Sequence, residues 1–370
     1  MEISVEEMLL LEDKFMVDIR SALSFSMGHI EGSVNYPYPD DIEGLCELLK
    51  DHKKDTVVII CTMGEKSLET AGLLSEKGFN TKSLKGGYGN WLLNAPGQGG
   101  LSESEKTYYS RQMILPEIGL EGQERLKSSK LLVIGAGALG TPVLTYLVRA
   151  GVGSITIADG DRIDLSNLHR QILYNISDVG RSKAEVAAER LREQNDSADI
   201  KVIDGFITPE NISDIVKEYD FVIDATDRIE TKFLINDACV IGNVPFCHAG
   251  VLAFEGQVMT WIPGKACYRC FFEEIPDGYV PSCSDMGIIG AAAGLIAAVQ
   301  AMEAVKYITG CGELLTGRML HADLKTMTFK VIPLRSPNPS CKVCGRDATI
   351  KDTLSRKEEY RLRCSLKDRT

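Results

Sequence analysis

Four of the chain's eleven cysteines stand as two C-x-x-C pairs, Cys267-Tyr268-Arg269-Cys270 and Cys341-Lys342-Val343-Cys344. Two such pairs supply the four thiolates that close a tetrahedral shell around Zn2+, leaving no position open for chemistry. The metal is therefore read as structural, pinning the chain after a sheet to a C-terminal segment. A redox dithiol in either pair is the weaker alternative, because there are two pairs. Two further cysteines stand in settings that suit reactivity. Cys61 begins Cys61-Thr62-Met63-Gly64-Glu65-Lys66-Ser67 ahead of a predicted helix. Consecutive N–H groups at a helix start favour an anion and can cradle a persulfide. Cys283 lies in the polar stretch Val280-Pro281-Ser282-Cys283-Ser284-Asp285, surroundings that do not suit a buried filler residue.

A second group of residues points to phosphate. Gly135-Ala136-Gly137-Ala138-Leu139-Gly140 has the G-x-G-x-x-G spacing that turns a backbone tightly and lets phosphate approach a helix N-terminus. Asp159, at the end of the next apolar run, is placed to accept hydrogen bonds from ribose hydroxyls. These residues alone fit a nicotinamide dehydrogenase equally well. Further on, the stretch that carries Asn167 and Arg170 is followed by Lys183. Arg170 and Lys183 exceed what a dinucleotide pyrophosphate needs and suit a triphosphate, whose charge grows as bonds rearrange at the α-phosphorus. Asp227 closes Asp224-Ala225-Thr226-Asp227 at a predicted strand end and can hold Mg2+. Each charged residue taken singly also fits a surface ion pair. His169 and His248 flank these motifs and receive no chemical role; Trp91 and Trp261 read as packing.

Positioning these groups takes two α/β domains. Strand-like runs at residues 15–19 and 56–61 fall in a first domain, residues 1–93. Residues 94–106, NAPGQGGLSESEK, lack periodicity and read as a linker. In residues 107–349, apolar runs at 130–134, 154–158, 200–203 and 221–224 alternate with helical segments such as 183–194. That alternation predicts parallel βαβ units in a Rossmann-like, doubly wound sheet. Residues 288–299 form the most apolar stretch, too short to span a bilayer and continuous with Gln300, Glu303 and Lys306, so a buried helix is expected. Residues 350–370 read as a charged tail, either an exposed helix or disordered.

The balance of 52 acidic against 41 basic residues, a net charge of −11, excludes generic nucleic-acid binding. The opening MEISVEEMLL is acidic where a signal peptide is basic, so a soluble cytoplasmic protein without membrane attachment is expected.

The ordered set Tyr109-Ser110-Arg111-Gln112, the glycine loop, Leu165-Ser166-Asn167-Leu168-His169-Arg170-Gln171 and Asp224-Ala225-Thr226-Asp227 resembles the MoeB/ThiF family, over about residues 107–346. Its members are adenylyltransferases related to ubiquitin-activating enzymes. The resemblance implies ATP-dependent adenylation of the C-terminal glycine of a ubiquitin-like sulfur-carrier protein ending in Gly-Gly, for thiamin, molybdopterin or related biosynthesis. It implies Gly135, Gly137 and Gly140 for the nucleotide, Asp159 for ribose, Asn167, Arg170 and Lys183 for the phosphates, and Asp227 for Mg2+ and the reacting carboxylate. It assigns Zn2+ to Cys267, Cys270, Cys341 and Cys344. Arg111 matches an arginine that reaches into the neighbouring subunit's nucleotide site, which implies a homodimer. Cys283 matches a loop cysteine that some members bond covalently to the carrier.

Residues 4–93 resemble rhodanese-like domains, through the Cys61 loop, Val17-Asp18-Ile19-Arg20, Gly28-His29-Ile30-Glu31-Gly32 and Gly86-Gly87-Tyr88. That implies sulfur transfer through a Cys61 persulfide loaded by a donor such as a cysteine desulfurase, with His29 and Asp18 as scaffold. Lys66 stands where arginine is common, and keeps the charge while losing the bidentate fork. Two other readings stay open: a carrier-binding scaffold with a sulfur-sensing rhodanese part, and an NAD-dependent oxidoreductase. Competition between ATP and NAD separates adenylation from the oxidoreductase, and a failure to bind ATP would favour the scaffold.

Overall fold

The computed structural model describes residues 1–26, 28–38, 42–94, 100–276, 286–333 and 336–361. The chain divides into two compact units, Met1–Glu124 and Arg125–Thr370.

The first unit is built on five parallel strands, β1 (Glu2–Ile3), β2 (Lys14–Asp18), β3 (Val34–Asn35), β4 (Thr56–Ile60) and β5 (Thr81–Leu84), in the order β1-β5-β4-β2-β3. The central β4 reads Thr-Val-Val-Ile-Ile because both its faces are covered. Val57 and Ile59 enter one core cluster, Val58 and Ile60 the other. The helix Glu103–Met113 starts inside the stretch read as linker. Ser102 accepts from the Glu105 N–H, and the Glu105 carboxylate accepts from the Ser102 N–H at 2.7 Å. This S-x-x-E capping box was the local signal that outweighs the polar composition around it.

The second unit holds an eight-stranded sheet: β6 (Lys130–Ile134), β7 (Ser154–Ala158), β8 (Asp199–Ile203), β9 (Phe221–Asp224), β10 (Phe246–Leu252), β11 (Glu255–Trp261), β12 (Arg318–Asp323) and β13 (Thr328–Pro333). Their order is β13-β12-β11-β10-β9-β6-β7-β8; β10, β9, β6, β7 and β8 are mutually parallel, and β11, β12 and β13 are added antiparallel. β6 alternates its side chains between two cores, Leu131 and Val133 on one face, Leu132 and Ile134 on the other. Doubly wound parallel strands therefore carry the site, as the alternating pattern implied.

The apolar segment extends further than the sequence suggested. The helix Gly290–Thr309 has 20 residues, by length and composition enough to cross a membrane, and is the one such helix among the described residues. It is a core helix in this fold. Ala293, Ile296 and Ala297 are buried against the sheet, and its buried Glu303 accepts from Thr260 Oγ1 at 2.6 Å. Residues 350–361 are likewise packed where a free tail was expected. The Ile350 N–H donates to Lys342 O, Thr353 Oγ1 to Pro209 O at 2.7 Å, and Tyr360 Oη to Asp237 Oδ2 at 2.7 Å. One backbone N–H and two hydroxyls thus anchor a segment whose average composition is charged.

Candidate active sites and metal centre

Strand order reverses between β6 and β9, and at their carboxyl ends lies a cavity of about 960 Å3. This is where doubly wound sheets bind ligands. Gly135, Gly137, Asp159, Asn167, Arg170, Lys183 and Asp227 all line it. Of the three motif glycines, two serve the backbone. A Cβ on Gly140 would lie 1.9 Å from Gly135 O, and one on Gly135 would lie 2.7 Å from Ala225 O. At Gly137 a Cβ would meet only Gln171 Nε2, at 3.7 Å. Gly137 is thus the point where the backbone lies open to the cavity.

The charged groups are tied to the same turn. Asp159 accepts the N–H of Ala136 at 2.7 Å and that of Asp161 at 2.8 Å. Burial pushes its carboxyl up, against the pull of the Ala136 N–H and the Lys183 ammonium. Lys183 opens the helix Lys183–Arg192 and pairs with Asp161 at 2.8 Å. The Tyr174 hydroxyl lies 2.7 Å from Ala136 O and 3.1 Å from Lys183 O, bracing the lysine against the glycine turn. Arg170 donates to Ser166 O at 2.7 Å and contacts His169 Nε2. Asp227 stands exposed at the cavity wall.

In the first unit Cys61 follows β4, and the Gly64 N–H donates to its Sγ at 3.1 Å. Ser67 Oγ lies 3.1 Å from the same sulfur and 2.9 Å from Ser83 Oγ. A Cβ on Gly87 would come within 2.2 Å of Cys61 O, so this glycine lets the following helix pack on the loop. Asp18 and Arg20 are a buried fork, Nη2 to Oδ2 2.6 Å, with the guanidinium 3.7 Å over the Tyr88 ring. They act as scaffold. His29, also read as scaffold, is exposed and stacks on Phe25. The Lys66 ammonium lies 4.8 Å from the centroid of the Tyr38 ring.

The four C-x-x-C thiols converge. Their sulfurs all lie within 4.8 Å of one another, with Cys267 to Cys341 at 3.6 Å and Cys270 to Cys344 at 3.3 Å. A tetrahedron of sulfurs about 2.3 Å from zinc has edges of about 3.8 Å, so the set fits Zn2+ with little movement.

Residues 109–343 match the ThiF family. The chain belongs to that family. Residues 4–94 match the rhodanese-like domain, so this ThiF-family chain carries that domain ahead of its Rossmann-like unit. The SAMP-activating enzyme E1 of Haloferax volcanii is 41% identical over 246 residues, 66% of this chain and 91% of that protein. The sulfur carrier protein adenylyltransferase of Thermus thermophilus is 40% identical over 273 residues, covering 72% and 99%. Adenylyltransferase and sulfurtransferase MOCS3-1 of Zea mays is 41% identical over 254 residues, 68% of this chain and 54% of that protein, so the match spans about half its length. The crystal structure of E. coli MccB shares the fold, with a TM-score of 0.58 and 24% identity over 66% of this chain and 74% of that one.

In this ThiF-family unit a buried network behind Asp227 escaped the sequence reading. Asp224 is wholly buried, and its Oδ2 accepts from His248 Nδ1 at 2.6 Å. Its Oδ1 accepts the Thr226 N–H at 3.0 Å and the Thr226 hydroxyl at 2.7 Å. The Lys232 ammonium lies 3.4 Å from Oδ2 and donates to Ala249 O at 2.6 Å. Gln300 Nε2 donates to Asp224 O and Cys247 O. Burial works against the Asp224 carboxylate, but Lys232 and His248 outweigh it and hold the group well below the usual carboxylate range. Burial, with the Lys232 charge, lowers His248 from 6.5 to about 4. His248, given no role from sequence, is thus a neutral imidazole on an ionised carboxylate.

The linkage has a defined sign. The unfolded chain takes up a proton on this histidine at a higher pH than the folded one. Stability is fully present above about pH 6.5 and falls as pH drops toward about 4, by roughly 3 kcal/mol over that window. Urea unfolding at pH 7, 5.5 and 4 measures it, and a loss absent from His248→Asn assigns it to this residue.

The structure brings the cavity residues together, and separately the four thiols. Arg111 lies exposed on the helix Glu103–Met113 of the first unit, and is not among the cavity's lining residues. Cys283 lies outside the described residues.

Proposed function

We propose that this chain uses ATP to adenylate the C-terminal glycine of a ubiquitin-like sulfur-carrier protein ending in Gly-Gly. A Cys61 persulfide then supplies sulfur to the activated glycine. The observation that carries this reading is the cavity at the β6/β9 reversal, where Gly137, Asp159, Asn167, Arg170, Lys183 and Asp227 converge.

The chemistry needs placement more than acid–base help, because the attacking glycine carboxylate is already ionised at neutral pH. Its oxygen attacks the α-phosphorus of ATP, the bond to pyrophosphate breaks, and an acyl-adenylate forms. Asp159 holds the ribose, the Gly137 backbone receives phosphate, Arg170 and Lys183 neutralise charge that grows on the oxygens, and the Asn167 amide donates a hydrogen bond to them. Asp227 would hold Mg2+, which screens the phosphates when bound. The terminal sulfur of a Cys61 persulfide then attacks the acyl carbon and AMP leaves, giving an acyl disulfide. A second thiol attacks the Cys61 sulfur, the thiocarboxylate departs, and the disulfide left on Cys61 is reduced by an external thiol. Gly64 N–H and Ser67 hydroxyl are positioned to stabilise the sulfur anion at Cys61.

The remaining assignments follow the same reading. Zn2+ is held by Cys267, Cys270, Cys341 and Cys344 and is structural. Arg111 serves the nucleotide site of a second copy in a homodimer. Cys283 bonds to the carrier during transfer. A cysteine desulfurase loads Cys61, in the cytoplasm, for thiamin, molybdopterin or related biosynthesis. The test is the mass of a purified carrier after incubation. With ATP alone it gains adenylate, and with ATP, a persulfide donor and a thiol reductant its terminal carboxylate becomes a thiocarboxylate. A carrier unchanged under both conditions, across ThiS-like and MoaD-like candidates, contradicts the reading.

A further inference from the structure

His248 occupies a β10 position where an apolar side chain would pack at no polar cost. Its strand neighbours Cys247 and Ala249 are apolar, and it is wholly buried. A buried imidazole is retained against its desolvation cost only when its hydrogen bonds repay it. Here one nitrogen is used. Nδ1 lies 2.6 Å from Asp224 Oδ2, directly across the β9–β10 register, while Nε2 has no hydrogen-bond partner among the described residues. The Tyr268 ring, 4.2 Å away between its centroid and that of the imidazole, fixes the histidine from the other side. A carboxylate accepts and does not donate, so Nδ1 must carry the proton.

What that bond holds is the turn beside the reaction. Asp224 Oδ1 binds both the N–H and the hydroxyl of Thr226, and Thr226 and Asp227 line the cavity. Lys232 sits farther from the carboxylate, 3.4 and 3.5 Å from its two oxygens, and is itself committed to Ala249 O. The shortest anchor on Asp224 Oδ2 is therefore His248. We propose that His248 is a positioning residue for adenylation, acting through Asp224 to aim Thr226 and Asp227 at the reacting phosphate and carboxylate. The proposal rests on the adenylation reading above. A displacement of about 1 Å at a reacting centre costs about a hundredfold in rate.

The experiment compares carrier-dependent pyrophosphate exchange in the full-length zinc-loaded protein with that in His248→Phe and His248→Asn. Rates are scaled by ATP-binding stoichiometry, and zinc content and melting temperature report folding. Phenylalanine keeps the volume and the ring contact with Tyr268 but cannot donate. Asparagine keeps a donor near the Nδ1 position. Expected are a fall in kcat of roughly 30- to 100-fold for His248→Phe with KM for ATP within about threefold, and recovery to within about fivefold for His248→Asn. A His248→Phe enzyme within threefold of the parent overturns the proposal. So does a folded His248→Asn enzyme as impaired as His248→Phe.

Should His248→Phe fail to fold, the unaltered protein still decides. Its five histidines are few enough to assign by 15N NMR. A His248 proton on Nδ1 supports the anchor, and a proton on Nε2 alone removes it. Absence of carrier-dependent exchange in the parent counts against the adenylation reading, and the tautomer is measured independently of it.

Discussion

Asp227→Ala abolishes carrier-dependent adenylation, by at least about a hundredfold, while Cys61 still accepts sulfur from a persulfide donor. Asp227 contributes a carboxylate at the cavity wall, next to a turn already fixed by Asp224 and Thr226. Removing it deletes charge from the reaction site without opening a core, because the side chain is exposed. The fold, the zinc content and ATP binding at the Gly137 end should therefore survive. Cys61 belongs to the other compact unit, with its sulfur held by Gly64 N–H and Ser67. On the proposed reading, its loading with sulfur needs no ATP. Cys61→Ala gives the reverse pattern: adenylation persists, and the carrier accumulates as adenylate with no thiocarboxylate. The assays are pyrophosphate exchange and persulfide labelling on the same preparations. Loss of both activities in either variant would contradict separate sites.

Stripping the metal, or replacing Cys267 or Cys344 by serine, lowers the stability of the larger unit by several kcal/mol, a fall in melting temperature of roughly 10 °C or more. The reason lies in what sits between the ligands. Arg269, inside the first C-x-x-C pair, makes a buried fork with Asp237, Nη2 to Oδ2 2.7 Å, and Tyr360 donates to the same oxygen at 2.7 Å. Tyr268, beside it, packs on His248. Releasing the knuckle frees a guanidinium from a buried carboxylate, and breaking one side of a buried pair costs about 3–5 kcal/mol by itself. Adenylation should fall with the metal even though no zinc ligand lines the cavity. Zinc content, thermal melting and exchange activity, followed together through chelation and re-addition, check this. Unchanged melting after complete removal would contradict it.

The parallel strands and the glycine loop were legible because their signals are local. Both-face burial makes β4 and β6 continuous apolar runs, and a glycine turn between strand and helix leaves its spacing in the chain. The seven cavity residues were legible for a different reason: the motifs that carry them lie in order along the chain. The network behind them was not. His248, Lys232 and Gln300 are single polar residues in apolar segments, brought to Asp224 from three different elements. Nothing in their sequence spacing announces that meeting. Residues 350–361 misled through composition, because Ile350, Thr353 and Tyr360 anchor a stretch otherwise rich in charge. Ser102 and Glu105 misled in the opposite sense, as a capping box inside a segment that looks like linker.

The most direct measurement is exchange of labelled pyrophosphate into ATP by the purified full-length protein, with carriers ending in Gly-Gly added one at a time. Exchange that appears with one carrier, and disappears when its terminal glycine is removed, is the expected result and also names the pathway served. Tight ATP binding without exchange for any ThiS-like or MoaD-like carrier would contradict the account.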